Sequence, residues 1–157
     1  MGTPAALTAL MGRVPFGVSV VTVDLEGERL GLTVGSLVSL SLDPPLVGVS
    51  IARLAAMHEL LHRAGGFAVS LLAAGQEAVA QHFARGVPPL AHWHGIAHRE
   101  GARGAPLIEG ALGWLECNVW AEHDAGDHTF FVGEVLGCEL GEAQPPLLYL
   151  LGRYRSL

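Results

Sequence analysis

Two long alternating runs, Ala111 to His123 and Thr129 to Glu139, flank the tetrapeptide Asp124-Ala125-Gly126-Asp127. Consecutive strands joined by so short a connection favour antiparallel pairing, because a parallel crossover needs a dozen or more residues. After residue 110 there is no helical stretch between strands. The strand–helix–strand alternation that a doubly wound parallel fold needs is absent there. The chain should be mainly β, with an antiparallel sheet that closes toward a barrel.

The residues upstream extend that sheet. Gly17 to Asp24 alternates as a strand with Val18, Val20 and Thr22 on one face, and Glu26-Gly27-Glu28 makes a hairpin turn. Arg29 to Leu40 continues as strand, broken near Gly35, and Asp43-Pro44-Pro45 is a rigid corner before the strand Leu46 to Ile51. Phe67 to Leu72 and Leu147 to Leu151 are further strands. The helices are few: Ala5 to Met11, Arg53 to Arg63 stopped by Gly65-Gly66, and Gly75 to Ala84. Residues 86 to 110 read as a long loop rich in Gly and Pro, a length that points to a binding or covering role. No repeat, linker or low-complexity tract interrupts residues 1–157, which read as one domain.

Composition narrows the function. Half of the 157 residues are hydrophobic and 15% are charged, which excludes a disordered chain. No apolar run reaches membrane-spanning length and no signal peptide is apparent, so the expectation is a cytoplasmic protein without a membrane partner. The net charge is −6 with no basic stripe, which argues against nucleic acid. All nine basic residues are Arg; the lack of Lys excludes Schiff-base and P-loop chemistry. The surplus of apolar residues points to a surface covered by a second subunit.

Three groups of residues invite a chemical reading that their surroundings do not support. His58-Glu59-Leu60-Leu61-His62 matches the zinc-hydrolase pattern, with both His on one helix face and Glu59 as base. The helix stops within a turn of His62, however, and no third ligand is placed, so a zinc hydrolase is the remote alternative and no metal is expected. His92, His94 and His98 form a second cluster, read as exposed loop histidines. Cys117 and Cys138 lie in neighbouring strands without a C-x-x-C spacing and are expected as free, largely buried thiols.

Three other segments carry more. Thr33-Val34-Gly35-Ser36-Leu37-Val38-Ser39 offers recurring hydroxyls on a strand edge, with Gly35 allowing close backbone approach. Ser50-Ile51-Ala52-Arg53 runs from a strand end into a helix start, an anion-binding arrangement. Gly126-Asp127-His128 opens a strand just past a turn and places His128 at the sheet's edge.

With Phe16-Gly17-Val18-Ser19-Val20-Val21-Thr22, Gly104-Ala105-Pro106-Leu107-Ile108-Glu109-Gly110, Pro146-Leu147-Leu148-Tyr149 and Gly152-Arg153-Tyr154, these segments occur in the order of one family. The chain resembles the flavin reductase-like family over nearly its whole length. The resemblance implies a split β-barrel, antiparallel and Greek-key-like with a few short helices, homodimeric, with flavin at the subunit interface. It implies an NAD(P)H:flavin oxidoreductase that passes hydride from NADH or NADPH to FMN, with FAD possible, and supplies reduced flavin to a monooxygenase. A flavin-binding electron carrier of the same fold is the alternative.

By position, Thr33, Val34, Gly35, Ser36, Leu37 and Ser39 would line the ring and ribityl chain. Ser50, Ile51, Ala52 and Arg53 would hold the phosphate end, and Phe83 would lie near the flavin. His128, as the catalytic residue, and Tyr154 would face the nicotinamide. The family often has Asn where Gly35 stands and Thr where Met57 stands.

Overall fold

In a computed structural model, residues 2–85 and 88–157 are described. Twelve strands run in the order β1 (Phe16–Gly17), β2 (Ser19–Leu25), β3 (Glu28–Val34), β4 (Val38–Leu42), β5 (Pro45–Ala52), β6 (Gly66–Leu71), β7 (His98–Glu100), β8 (Pro106–Ile108), β9 (Gly113–Ala125), β10 (His128–Leu140), β11 (Leu147–Leu150) and β12 (Arg153–Ser156). Three α-helices accompany them among the described residues: α1 (Pro4–Met11), α2 (Ala56–Ala64) and α3 (Glu77–Ala84).

Seven strands form one antiparallel sheet in the order β3-β2-β6-β9-β10-β5-β4. The β9–β10 hairpin is its spine. The start of β9 pairs with β6 and the start of β10 pairs with β5, so the hairpin joins the two halves of the sheet. Register shifts at Val132/Gly133 and Val135/Gly137 bend it, as bulges do. The sheet curls until the end of β3 approaches β5, but no ladder joins them. Ser36 crosses the gap: its Oγ accepts from Ser50 N at 3.0 Å and donates to Ser50 O at 3.3 Å. The mainly β, split architecture is thus present.

Several local expectations shift by a few residues. The connection between β9 and β10 is the two-residue turn Gly126-Asp127, because Asp124 and Ala125 pair with Thr129 and His128. Glu26 and Gly27 both take positive φ, the geometry that suits a two-residue hairpin turn. The strand β2 is buried on both faces over Ser19–Val23. Val21 and Val23 join the core under α2, while Val18 and Val20 join a second core under α3. The long loop contains the β7–β8 hairpin, tied to the sheet by Thr22 Oγ1 donating to Pro106 O at 2.6 Å. In the Gly152-Arg153-Tyr154 segment Gly152 belongs to a turn and Arg153 begins the final strand.

α2 begins at Ala56, three residues after Arg53, and ends on Gly65 in the left-handed region with its N–H on Leu61 O. α1 buries no residue. Among the described residues no helix is long and apolar enough to cross a membrane.

Candidate functional site

The open side of the sheet, between β3 and the start of β10, holds a groove of about 550 Å³. Thr33, Val34, Gly35, Ser36, Ser50, Ala52 and His128 line it together with Phe16, Leu32, Ala55 and Tyr149. Seven of the residues singled out in the sequence therefore converge, although they come from β3 and the two residues that follow it, from β5 and from β10. Through Phe16, Ser50, His128 and Tyr149 the groove opens into a second cavity of about 730 Å³ under α1. Volumes of this size accommodate a nucleotide-sized ligand.

The walls are mostly apolar. Phe16 leans on the backbone at Gly35, where an added Cβ would meet Phe16 Cβ at 3.2 Å. Tyr149 sits opposite Phe16 in the β1–β11 ladder and meets the ring of Tyr154 at 5.0 Å between centroids, tilted by 58°. Tyr154 lines a side cavity of about 250 Å³ with Phe16, Thr33 and Gly35. Burial, then the neighbouring Tyr149 and Glu77, push its phenol above the ordinary range, so it stays protonated.

The polar atoms are committed more than the sequence reveals. Thr33 Oγ1 donates to Ala80 O at 2.6 Å, and Ser36 is held by Ser50. His128 Nδ1 lies 2.7 Å from Asp127 Oδ1. His128 lines both the groove and the cavity under α1.

The remaining expected residues lie elsewhere. Ile51 is fully buried in the main core, and Leu37 packs against that core. Ser39 is exposed on β4. Phe83 is buried at the second core, its ring against Gly31, and borders another cavity of about 530 Å³ with Met57, Arg85 and His92. That cavity shares Leu32 and Ala55 with the groove. Arg53 lies in the turn before α2, not at its start, and binds Asp124 and Gly126.

Phe16, Tyr149 and Arg85 are lining residues that the sequence reading did not assign. Phe16 and Tyr149 stood inside quoted motifs, but only their cross-strand pairing brings them to the groove.

The two His of the zinc-like pattern are otherwise engaged. His58 Nε2 is 2.7 Å from Thr129 Oγ1, and His62 Nδ1 is 2.8 Å from Glu122. Among the described residues no three His, Cys, Asp or Glu stand together as a metal site. His92 is buried and accepts from Gly31 N at 2.8 Å, in contrast to an exposed loop histidine. Cys117 is buried but Cys138 is exposed, which corrects the expectation of two buried thiols. Both are free, and they sit out of register, opposite Val135 and Leu115.

The flavin reductase like domain family matches residues 11–157. The chain belongs to the flavin reductase-like family. Among its relatives of this family, the reductase component of 4-hydroxyphenylacetate 3-monooxygenase from Thermus thermophilus is 43% identical, covering 97% of this chain and 95% of the relative. The NADH-dependent flavin reductase of a Rhodococcus species is 40% identical over 99% of this chain and 87% of its own. The solved NADH:FAD oxidoreductase of Streptomyces globisporus, in complex with NAD and FAD fragments, superposes with a TM-score of 0.91 at 40% identity. That match covers 96% of this flavin reductase-like chain and 90% of the solved one.

Proposed function

We propose that this chain, as one unit spanning residues 1–157, is an NAD(P)H-dependent flavin reductase whose reduced flavin serves a monooxygenase. The observation that carries the reading is the convergence of Thr33–Ser36, Ser50, Ala52 and His128 on one groove in a chain of this family. The apolar faces of Phe16, Leu32, Val34 and Tyr149 suit a planar ring and keep water from it. Gly35 keeps the β3 edge low, and Ser36 holds β3 and β5 at fixed separation. We assign the phosphate end to the neighbourhood of Ser50 and Ala52, leading past Ala55 toward Arg85, while Arg53 is engaged by the β9–β10 turn.

Bound flavin, FMN or FAD, supplies the hydride-accepting ring, and the nicotinamide of NADH or NADPH supplies the hydride. The chain's own task is orientation. His128 and Tyr154 border the adjoining spaces where a nicotinamide can be set against the ring, and misplacement by about 1 Å can cost on the order of a hundredfold in rate.

We further assign a homodimer, since Leu42, Leu54 and Leu140 stand at least nine-tenths exposed and α1 has no buried face. Two free thiols suit the reducing cytoplasm.

The test is direct. Purified protein with FMN or FAD in air should consume NADH or NADPH, followed at the nicotinamide absorbance band. Flavin binding without nicotinamide consumption would overturn the reductase assignment. A sedimenting species of 16.5 kDa that still binds flavin would remove the dimer.

A further inference from the structure

The β9–β10 turn is gripped from the β5 side by one residue. Arg53 donates its backbone N–H to Asp127 O at 3.0 Å and its Nε–H to Gly126 O at 2.9 Å. Its Nη2 stands 2.8 Å from Asp124 Oδ1. Two of these three contacts go to backbone carbonyls, so they hold the path of the turn and not only its charge.

Asp127 lies inside this turn, with its carboxylate on His128 Nδ1 at 2.7 Å. An ionised carboxylate only accepts hydrogen bonds. The His128 contact also holds the Asp127 carboxyl below its ordinary range. The proton between them must then sit on Nδ1. In the neutral ring this leaves Nε2 with a lone pair and no proton. No protein hydrogen bond to His128 Nε2 occurs among the described residues, and the ring lines the groove.

We propose that Asp127, held by the Arg53 grip on its turn, is a positioning residue that fixes His128 with Nδ1 protonated, so that Nε2 accepts from the carboxamide N–H of the nicotinamide. This rests on the reductase reading above. It gives Arg53 a role in the nicotinamide half of the site, in place of a direct phosphate contact. An exposed pair such as Asp127–His128 contributes little to folding stability, so a structural role and a positioning role separate cleanly.

The test uses the full chain loaded with FMN. In a two-bond ¹H–¹⁵N spectrum of ¹⁵N-histidine protein above pH 8, wild type should show His128 with the proton on Nδ1. Asp127→Ala should shift it toward Nε2–H, and Asp127→Asn, which keeps an acceptor oxygen, should restore much of the wild-type pattern. Asp127→Ala should raise the NADH KM and the NAD⁺ dissociation constant about tenfold, the scale of one charge-assisted hydrogen bond. FMN and riboflavin affinities and Tm should stay at wild-type values. Arg53→Gln should weaken NADH in the same direction and leave the FMN-to-riboflavin ratio unchanged.

An unchanged His128 tautomer in Asp127→Ala, or a changed tautomer with wild-type NAD⁺ affinity, overturns the inference. So does an Arg53→Gln protein that loses FMN selectively while NADH binding holds. Wild type that binds no NAD⁺ at all overturns the functional reading itself, a different outcome read before any variant.

Discussion

Ser36 Oγ takes the Ser50 N–H at 3.0 Å and returns a hydrogen bond to Ser50 O at 3.3 Å, bridging β3 and β5 where no backbone ladder joins them. Both residues line the groove. Replacing Ser36 by Ala leaves a partly buried N–H without its acceptor, at a cost of about 1 kcal/mol. Ser36→Ala should lower the urea midpoint accordingly and weaken FMN several-fold, read by flavin fluorescence. Unchanged stability and affinity would mean that the seam is held by packing alone.

Gly133 sits on β10 where a Cβ would stand 2.6 Å from Phe67 Cζ and 2.9 Å from Cys117 Cβ. Phe67 and Cys117 are both buried, so neither can swing away. Gly133→Ala should therefore destabilise by about 1–3 kcal/mol, the range for overpacking a filled core. Equilibrium unfolding measures it, and a change within about 0.5 kcal/mol, as at an ordinary surface site, contradicts the packing argument.

His62 carries a pH dependence with a definite sign. Its hydrogen bond to Glu122, then the charges of Glu122 and Glu59, raise its pKa above the ordinary 6.5. The folded state therefore binds the proton more tightly than the unfolded chain. The pair's contribution is complete below 6.5 and is lost as pH rises through the raised folded value. Tm of wild type minus that of His62→Gln should fall across that window and shrink in salt, because the pair is exposed. A flat difference from pH 5 to 9 would dismiss the coupling.

The thiols should differ sharply in reactivity. Burial, then the charge of Glu116, pushes Cys117 up to about 12, while Cys138 is exposed. The thiolate is the reactive form, so a disulfide reagent at pH 8 should titrate one thiol in the native protein and two after denaturation. Cys138→Ser should abolish the native reaction. Two fast thiols in the folded protein would contradict the burial of Cys117.

Short-range stereochemistry was legible in the chain before any tertiary contact was known. The alternation on either side of Gly126 specified the β9–β10 hairpin, positive-φ turns followed from Gly27, and Gly65 ended α2. His128 at the head of a strand was legible because a turn residue and a period-two run locate a side chain within one hairpin. The ordered motifs also carried the family, since they preserve chain order and need no contacts.

Tertiary structure decided which of those residues share a space. Phe16 reaches the groove because it pairs with Tyr149, 133 positions later in the chain, and no local period encodes that partner. Ile51 turns into the core while Ser50 and Ala52 turn to the groove, as alternation along a strand requires once the sheet's inner face is known. Arg53 looks like a phosphate ligand beside a helix start, yet Asp124 and Gly126 reach it first, across 71 and 73 positions. His58 and His62 keep their helical spacing but find Thr129 and Glu122 on the hairpin beneath them. Side-chain commitment of this kind depends on which groups the folded sheet brings within hydrogen-bond distance, and that is settled only when distant strands pair.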